Sequence, residues 1–269
     1  MQYYEQIVAN RHSCRNFAKK PVGEDLLYKL LTYYDDRTRN LTEHIKTFIK
    51  FFDGSVCEKL GDYVGYNGHC IKAPAYMVVY SEEKGRYLEN AGFIAEALTL
   101  KMTELGLSAC WQTVNNAEAV KEVLGKETDM VVACVVAFGY RDKKSKEKPV
   151  EKISLDDLTF GTKYGQDIDP TRFYRELEDG LRAMAHSQSF LNLQPYRVIV
   201  DTDQIVLVGI PDDVTKEADR HLNYGIAMFN FISVVWATRD TTPKWSFAPV
   251  TDRDLGLPAD VKYVAKCKL

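Results

Sequence analysis

Two segments of helix length, Asn90 to Leu105 and Leu222 to Thr238, are apolar on nearly every side. A helix without a polar face has to be covered from all directions. Two of them in one chain of 269 residues, each set among short β-forming runs, point to a molecule built from two similar halves. No apolar run is long enough to span a bilayer as a helix; the longest, Met130 to Phe138, falls far short.

The flanking segments repeat in order. In the first half a helix ends near Arg11, and a second begins at Val22-Gly23-Glu24-Asp25 with Leu26, Leu27, Leu30 and Leu31 at helical spacing. Thr38 to Phe52 reads as linker plus helix, with Ile45, Phe48, Ile49 and Phe52 on one stripe. Ala73 to Tyr80 reads as a buried strand with Pro74 at its entry, and Asp129 to Phe138 as a second core strand. Gly106 closes the first apolar helix, and Lys143 to Pro149 forms a basic loop. In the second half a helix from Arg172 to Met184 precedes strands at Tyr196 to Val200 and Gln204 to Val208. The second apolar helix follows, and then a last strand near Lys262 to Cys267. Gly92 and Gly225 sit at matching points of the two apolar helices, although direct identity between the halves is slight. Gly161 to Pro170, polar with two glycines and a proline, is the expected linker, giving halves at 1–160 and 171–269.

Composition narrows the function. A net charge of -3 with 45% hydrophobic and 27% charged residues suits a soluble globular protein and gives no reason to expect nucleic-acid or membrane partners. Six scattered cysteines form no Cys-x-x-Cys, no His pair stands at metal spacing, and the polar start Met1 to Gln6 is no signal peptide. A cytoplasmic, reducing location without a bound metal is the expectation. Gly-x-Gly-x-x-Gly after a strand, a P-loop, Gly-x-Ser-x-Gly and His-Glu-x-x-His are all missing.

Four short segments carry chemistry. Arg11-His12-Ser13-Cys14-Arg15 puts two guanidinium groups and a hydroxyl in one turn, suited to a phosphate, although a helix end with exposed arginines has the same composition. Gly106 to Thr113 carries Trp111 and Gln112; Trp111 also suits a core aromatic. Lys146 and Lys148 belong to the basic loop, where a solvated surface is the ordinary role and the alternation of lysines permits a slip of register. Ser189-x-x-Asn192-x-Gln194-Pro195-Tyr196 offers amides that can donate and accept, for a heterocycle edge or for capping the loop itself.

Together these segments resemble the nitroreductase family of FMN-dependent oxidoreductases. The resemblance rests on Arg11 to Arg15 followed by Phe17 and Pro21, on Gly106 to Trp111, on the Lys146 and Lys148 segment, and on Ser189 to Tyr196. Two positions depart from the family pattern, Gln188 for a proline and Tyr196 for a tryptophan. The resemblance implies an α+β nitroreductase-like fold in which one chain of two pseudo-repeated halves imitates the family's homodimer. It also implies FMN held by Arg11 and Ser13, with Arg15 near the pyrimidine edge, where a cation favours the reduced flavin. His12 would be a positioned polar residue. Backbone groups at Trp111, Gln112 and Thr113 would face flavin N5 and O4, and Lys146 and Lys148 would close over the phosphate. Ser189, Asn192 and Gln194 would supply the loop that crosses the subunit interface in the family. The implied activity passes hydride from NAD(P)H through flavin to a nitroaromatic, quinone or similar acceptor, with no catalytic side chain and in a monomer with one FMN. A flavin-binding protein with little turnover, or dehalogenation or flavin fragmentation on the same scaffold, are the alternatives.

Overall fold

Ala75–Ser81 is buried along its whole length, as a short run rich in Val and Tyr must be when covered on both faces. It forms strand β2 of a four-stranded antiparallel sheet with β1 (Thr47–Asp53), β3 (Ser108–Gln112) and β4 (Val131–Gly139), in the order β1-β2-β4-β3. The computed structural model that shows this describes residues 2–36, 40–126, 128–148, 150–169, 171, 174–236 and 243–269. Two compact units divide the chain: Asn10–Val150, and Met1–Ala9 with Glu151–Leu269.

In the Asn10–Val150 unit, helix α2 (Glu24–Tyr34) precedes β1, and α4 (Tyr87–Glu104) lies between β2 and β3 in sequence. The short helices α3 (Val56–Leu60) and α5 (Ala117–Val123) cover one face of the sheet. There Val56, Leu60 and Val120 pack with Tyr76, Val78 and Tyr80, alternate residues of β2 that share a face. Helix α4 is buried almost throughout, as its lack of a polar face requires, yet it carries the buried polar residues Asn90, Glu96 and Thr99. The Asn90 side chain accepts from the backbone of Leu41 and Thr42, and the Thr99 hydroxyl donates to Glu96 at 2.6 Å.

The expected helix within Thr38 to Phe52 is instead strand β1, paired with β2 from Thr47↔Ser81 to Asp53↔Ala75. An aromatic and β-branched run this short satisfies either period, and pairing with a buried neighbour decides for the strand. Thr38 itself lies outside the described residues.

The other unit repeats this topology. Helix α7 (Arg175–Ala185) leads to β6 (Tyr196–Val200) and β7 (Gln204–Gly209); α8 (Glu217–Trp236) follows, then β8 (Trp245–Ser246) and β9 (Lys262–Lys268). Its sheet runs β5-β6-β7-β9-β8, so the last four strands reproduce the order first, second, fourth, third of β1-β2-β4-β3. A register irregularity recurs in the second strand, at Val79/Tyr80 and at Leu207/Val208. The two pseudo-repeated α/β halves, each with a buried helix, are therefore a feature of the fold. Helix α1 (Gln2–Asn10) precedes the first repeat in sequence. Arg172 and Thr238, expected helix ends, lie outside the described residues.

The join falls at Val150/Glu151, before the expected linker. Helix α6 (Leu155–Leu158), capped by Ser154, leads into β5 (Thr159–Phe160), which pairs with β6 in parallel. The segment from Gly161 is held in place by Gly161 N–H to the Gln166 carbonyl (2.7 Å), by Tyr164 N–H to the Leu255 carbonyl (2.9 Å) and by Phe160 against Tyr164. Turn residues here make an anchored loop within a unit. Pro170 lies outside the described residues.

Helices α7 and α8 approach closely at Gly180, where a Cβ would lie 2.6 Å from Val235 Cγ2 and 2.9 Å from the Phe231 ring. Gly180→Ala gains about 1 kcal/mol of helix propensity but overpacks this contact by about 1–3 kcal/mol. A net loss of stability is expected in urea melts; a stabilised variant would show that the helices can separate freely.

Candidate functional site

Arg11 to Arg15 runs along β3, an edge strand of its sheet that presents backbone groups on its outer side. Ser13 forms a parallel bridge with Ala109, and the Cys14 N–H donates to the Ala109 carbonyl at 3.0 Å. The chain then bridges to the segment after β4: Phe17 pairs with Arg141, Ala18 N–H reaches the Tyr140 carbonyl (2.8 Å), and Asp142 N–H reaches the Asn16 carbonyl (3.0 Å). Three stretches remote in sequence, 11–18, 108–113 and 139–148, thus meet within one unit.

Their side chains make a cation-rich cluster. Arg11 is only 6% exposed, and its Nη1 is buried with no hydrogen-bond partner. Burial pulls its pKa below the ordinary arginine value, while Glu96 and Cys110 pull it back up. The Cys110 thiol lies 3.7 Å from the Trp111 carbonyl oxygen. Burial raises the pKa of that thiol, with Arg15, Arg11 and Ser13 opposing, so Cys110 is the buried apolar side chain its sequence context suggests. His12 is anchored by Nδ1 at the Asn10 carbonyl (2.9 Å) and meets Arg141 through Nε2.

Arg141 and Glu147 were not legible in sequence. Arg141 Nη2 donates to the Glu147 carbonyl (2.7 Å), and the Glu147 carboxylate accepts from the Arg15 N–H (2.8 Å) and the Ser145 hydroxyl (3.1 Å). Lys146 and Lys148, on either side, are exposed. The loop reaches the cluster through the acid between them, and Pro149 lies outside the described residues. The sequence signal for Arg141 is its place two positions after the core strand β4.

Trp111 and Gln112 lie on β3 opposite Val136 and Val135. The Trp111 indole N–H is buried without a partner. Gln112 accepts from the Ile71 N–H (3.0 Å) and donates to the Cys110 and Trp111 carbonyls, so its amide belongs to the scaffold. The Thr113 carbonyl accepts from Gly65 N–H at 2.8 Å. A cleft of about 970 Å³ elsewhere in this unit, lined by Tyr34, Asp35, Glu43, Lys46, Phe48 and Met130 among others, includes none of these residues.

In the other unit, Ser189, Asn192 and Gln194 form a tight loop in which Leu191, Asn192 and Gln194 all take left-handed backbone conformations. Such non-glycine geometry needs compensation. Lys152, another residue without a sequence signal, provides part of it by donating to the Ser187 carbonyl (3.0 Å) and Asn192 Oδ1 (2.5 Å). Asn192 donates to the Glu151 carbonyl (2.8 Å), and the Ser189 hydroxyl accepts from the Gln194 N–H (2.8 Å). Buried Gln194 accepts from the Ile153 N–H (2.8 Å) and donates to the Ala185 carbonyl (2.7 Å). These amides cap their own loop, the other reading their chemistry allowed. The Tyr196 hydroxyl donates to the Met184 carbonyl at 3.1 Å, a use for tyrosine at this position.

Residues 3–233 match the family model described as "Putative TM nitroreductase". The chain belongs to this nitroreductase family. A structure described as a "putative nitroreductase" from Thermotoga maritima matches with a TM-score of 0.64 at 14% identity, covering 98% of this chain and 92% of that one. At that identity the likeness establishes the fold, the α+β nitroreductase-like one, over nearly the whole chain. An FMN-dependent nitroreductase from Clostridium difficile R20291 (20% identity, TM-score 0.46) covers 56% of this chain and 92% of its own. A "putative NADH oxidase" from Clostridium acetobutylicum (22% identity, TM-score 0.45) covers 55% and 94%. Among curated proteins none matches by sequence. No helix of the described residues is long and apolar enough to cross a membrane.

Proposed function

We propose that this nitroreductase-family chain binds FMN and acts as an NAD(P)H-dependent oxidoreductase on a small acceptor such as a nitroaromatic or quinone, in the cytoplasm. The observation that carries the reading is the buried, unpartnered Nη1 of Arg11, in the same short segment as Ser13 and Arg15. A buried guanidinium donor without an acceptor suits a phosphate oxygen, and the surrounding hydroxyl and cations fit that group. Bound FMN would supply two-electron hydride chemistry. Arg11 and Ser13 would hold its phosphate, His12 and Arg141 would brace that loop, and Arg15 would place a fixed positive charge by the ring. Backbone groups of Trp111, Gln112 and Thr113 on the edge of β3 would meet the flavin's polar rim. Ser189 and Asn192 remain proposed contacts, tested by whether Asn192→Ala lowers FMN affinity, with Gln194 holding the loop that carries them. The Arg11 to Arg15 motif occurs once, so one FMN per chain and a monomer in sedimentation are expected.

Glu147 favours a second reading, a flavin-binding protein with little turnover, because its carboxylate already accepts the Arg15 N–H. Adding FMN to purified protein and then NADH or NADPH without oxygen separates the readings. Loss of the yellow colour supports the reductase, colour stable to both donors supports the binding protein, and no FMN uptake defeats both. Glu147→Gln removes a negative charge from the cluster and is expected to tighten FMN binding about tenfold, close to 1.4 kcal/mol. Unchanged or weaker binding by titration would place the phosphate away from Glu147.

A further inference from the structure

The Asn10–Val150 unit holds a second group of titratable side chains that includes none of Arg11, Ser13, Arg15, Arg141 and Glu147. Cys57 on α3 and Cys70 in the segment before β2 are 13 positions apart, and the Cys57 Sγ lies 3.8 Å from the Cys70 carbonyl oxygen. The Cys70 Sγ also lies 3.9 Å from the Tyr76 hydroxyl, which donates to the Ile71 carbonyl (2.5 Å) and accepts from the Ala73 N–H (3.1 Å). Both cysteines are half-buried, whereas Cys14, Cys110, Cys134 and Cys267 are buried.

The segment that brings them together is tightly constrained. Gly65 has φ +96°, and a Cβ there would lie 2.1 Å from the His69 carbonyl oxygen. Its N–H is bound to Thr113, and the Ile71 N–H to Gln112. The backbone therefore holds Cys70 against α3, which limits the entropy lost on joining the two sulfurs.

We propose that Cys57 and Cys70 form a reversible disulfide with a peroxide as oxidant, a modification site independent of the flavin reading. The Cys57 sulfur attacks one peroxide oxygen; the O–O bond breaks, water leaves, and a sulfenic acid remains. The Cys70 sulfur, its proton passing to solvent, then attacks the Cys57 sulfur; the S–O bond breaks and hydroxide leaves as a second water. Two thiols are oxidised by two electrons and one peroxide is reduced. Burial and the neighbouring Cys57 push the Cys70 thiol up to about 12, so Cys57 is assigned the attack and Cys70 the resolving step.

Treatment of the full chain with hydrogen peroxide, alkylation under denaturing conditions and peptide mapping test this. The expected product lacks two hydrogens, joins the Cys57 and Cys70 peptides and leaves four thiols to alkylate. Closing a loop of this length is expected to raise Tm by roughly 5–10 °C, reversed by dithiothreitol. The Cys70→Ser chain should accumulate a Cys57 sulfenic acid trapped by dimedone. Six alkylated thiols, a link through any other cysteine, or no trapping in Cys70→Ser would overturn the proposal.

Discussion

Arg11→Met is expected to weaken FMN binding by roughly 100- to 1000-fold in fluorescence titration. Methionine keeps much of the buried volume and removes the charge. A hydrogen bond to a charged group contributes about 1.5–3 kcal/mol, and two at the lower end of that span, about 3–4 kcal/mol together, convert to this factor. The donor is already desolvated, because burial has pulled the Arg11 pKa down and left Nη1 without an acceptor. Binding a phosphate would therefore recover an interaction whose desolvation cost is met in the free protein. Lys146→Ala and Lys148→Ala, at exposed positions, should cost less than about 1 kcal/mol each. Binding unchanged within threefold in Arg11→Met would place the cofactor elsewhere, and a melt of the cofactor-free variant guards against simple unfolding.

Legibility in the sequence follows the physics of each segment. The two apolar helices and the strands at Ala75, Val131, Tyr196 and Gln204 were readable because nearly complete burial leaves a composition few other environments tolerate. Strand β1 was not, because Phe48, Ile49 and Phe52 fit a helical stripe and only pairing with β2 reveals the other period. The exact repeat of strand order was also hidden: it lives in hydrogen-bond topology, while β8 is two residues long. At the candidate site, Arg11, Ser13 and Arg15 are visible in sequence as one local motif, and their proposed phosphate role comes from the family resemblance. Arg141 and Glu147 have no spacing to read and are brought in by the bridge between Phe17 and Arg141. Glu96 was masked by the apolar helix that carries it, although its charge acts on Arg11. Local pattern reports burial; it does not report which polar atom a distant segment will meet.

Gln194 tests that distinction most sharply, because its residue type fits a flavin edge while its bonds are internal. Its Oε1 accepts from the Ile153 N–H, and its Nε2 donates to the Ala185 carbonyl, with the Ser187 carbonyl and the Tyr196 hydroxyl within 3.3 Å. Gln194→Leu fills a similar volume but strands the half-buried Ile153 N–H and the buried Ala185 carbonyl. Each such orphan costs about 1–3 kcal/mol, so a loss of about 3–5 kcal/mol and a Tm lower by roughly 10 °C are expected in cofactor-free protein. Asn192→Ala should cost less, near 1 kcal/mol, because Asn192 is only partly buried and water can replace its bonds. Adding FMN should leave the stability difference between Gln194→Leu and the parent chain nearly unchanged, since the lost bonds, to Ile153 and Ala185, are internal to one unit. If cofactor-free Gln194→Leu instead melts with the parent chain while its FMN affinity collapses, the Gln194 amide serves the cofactor and the internal network is dispensable.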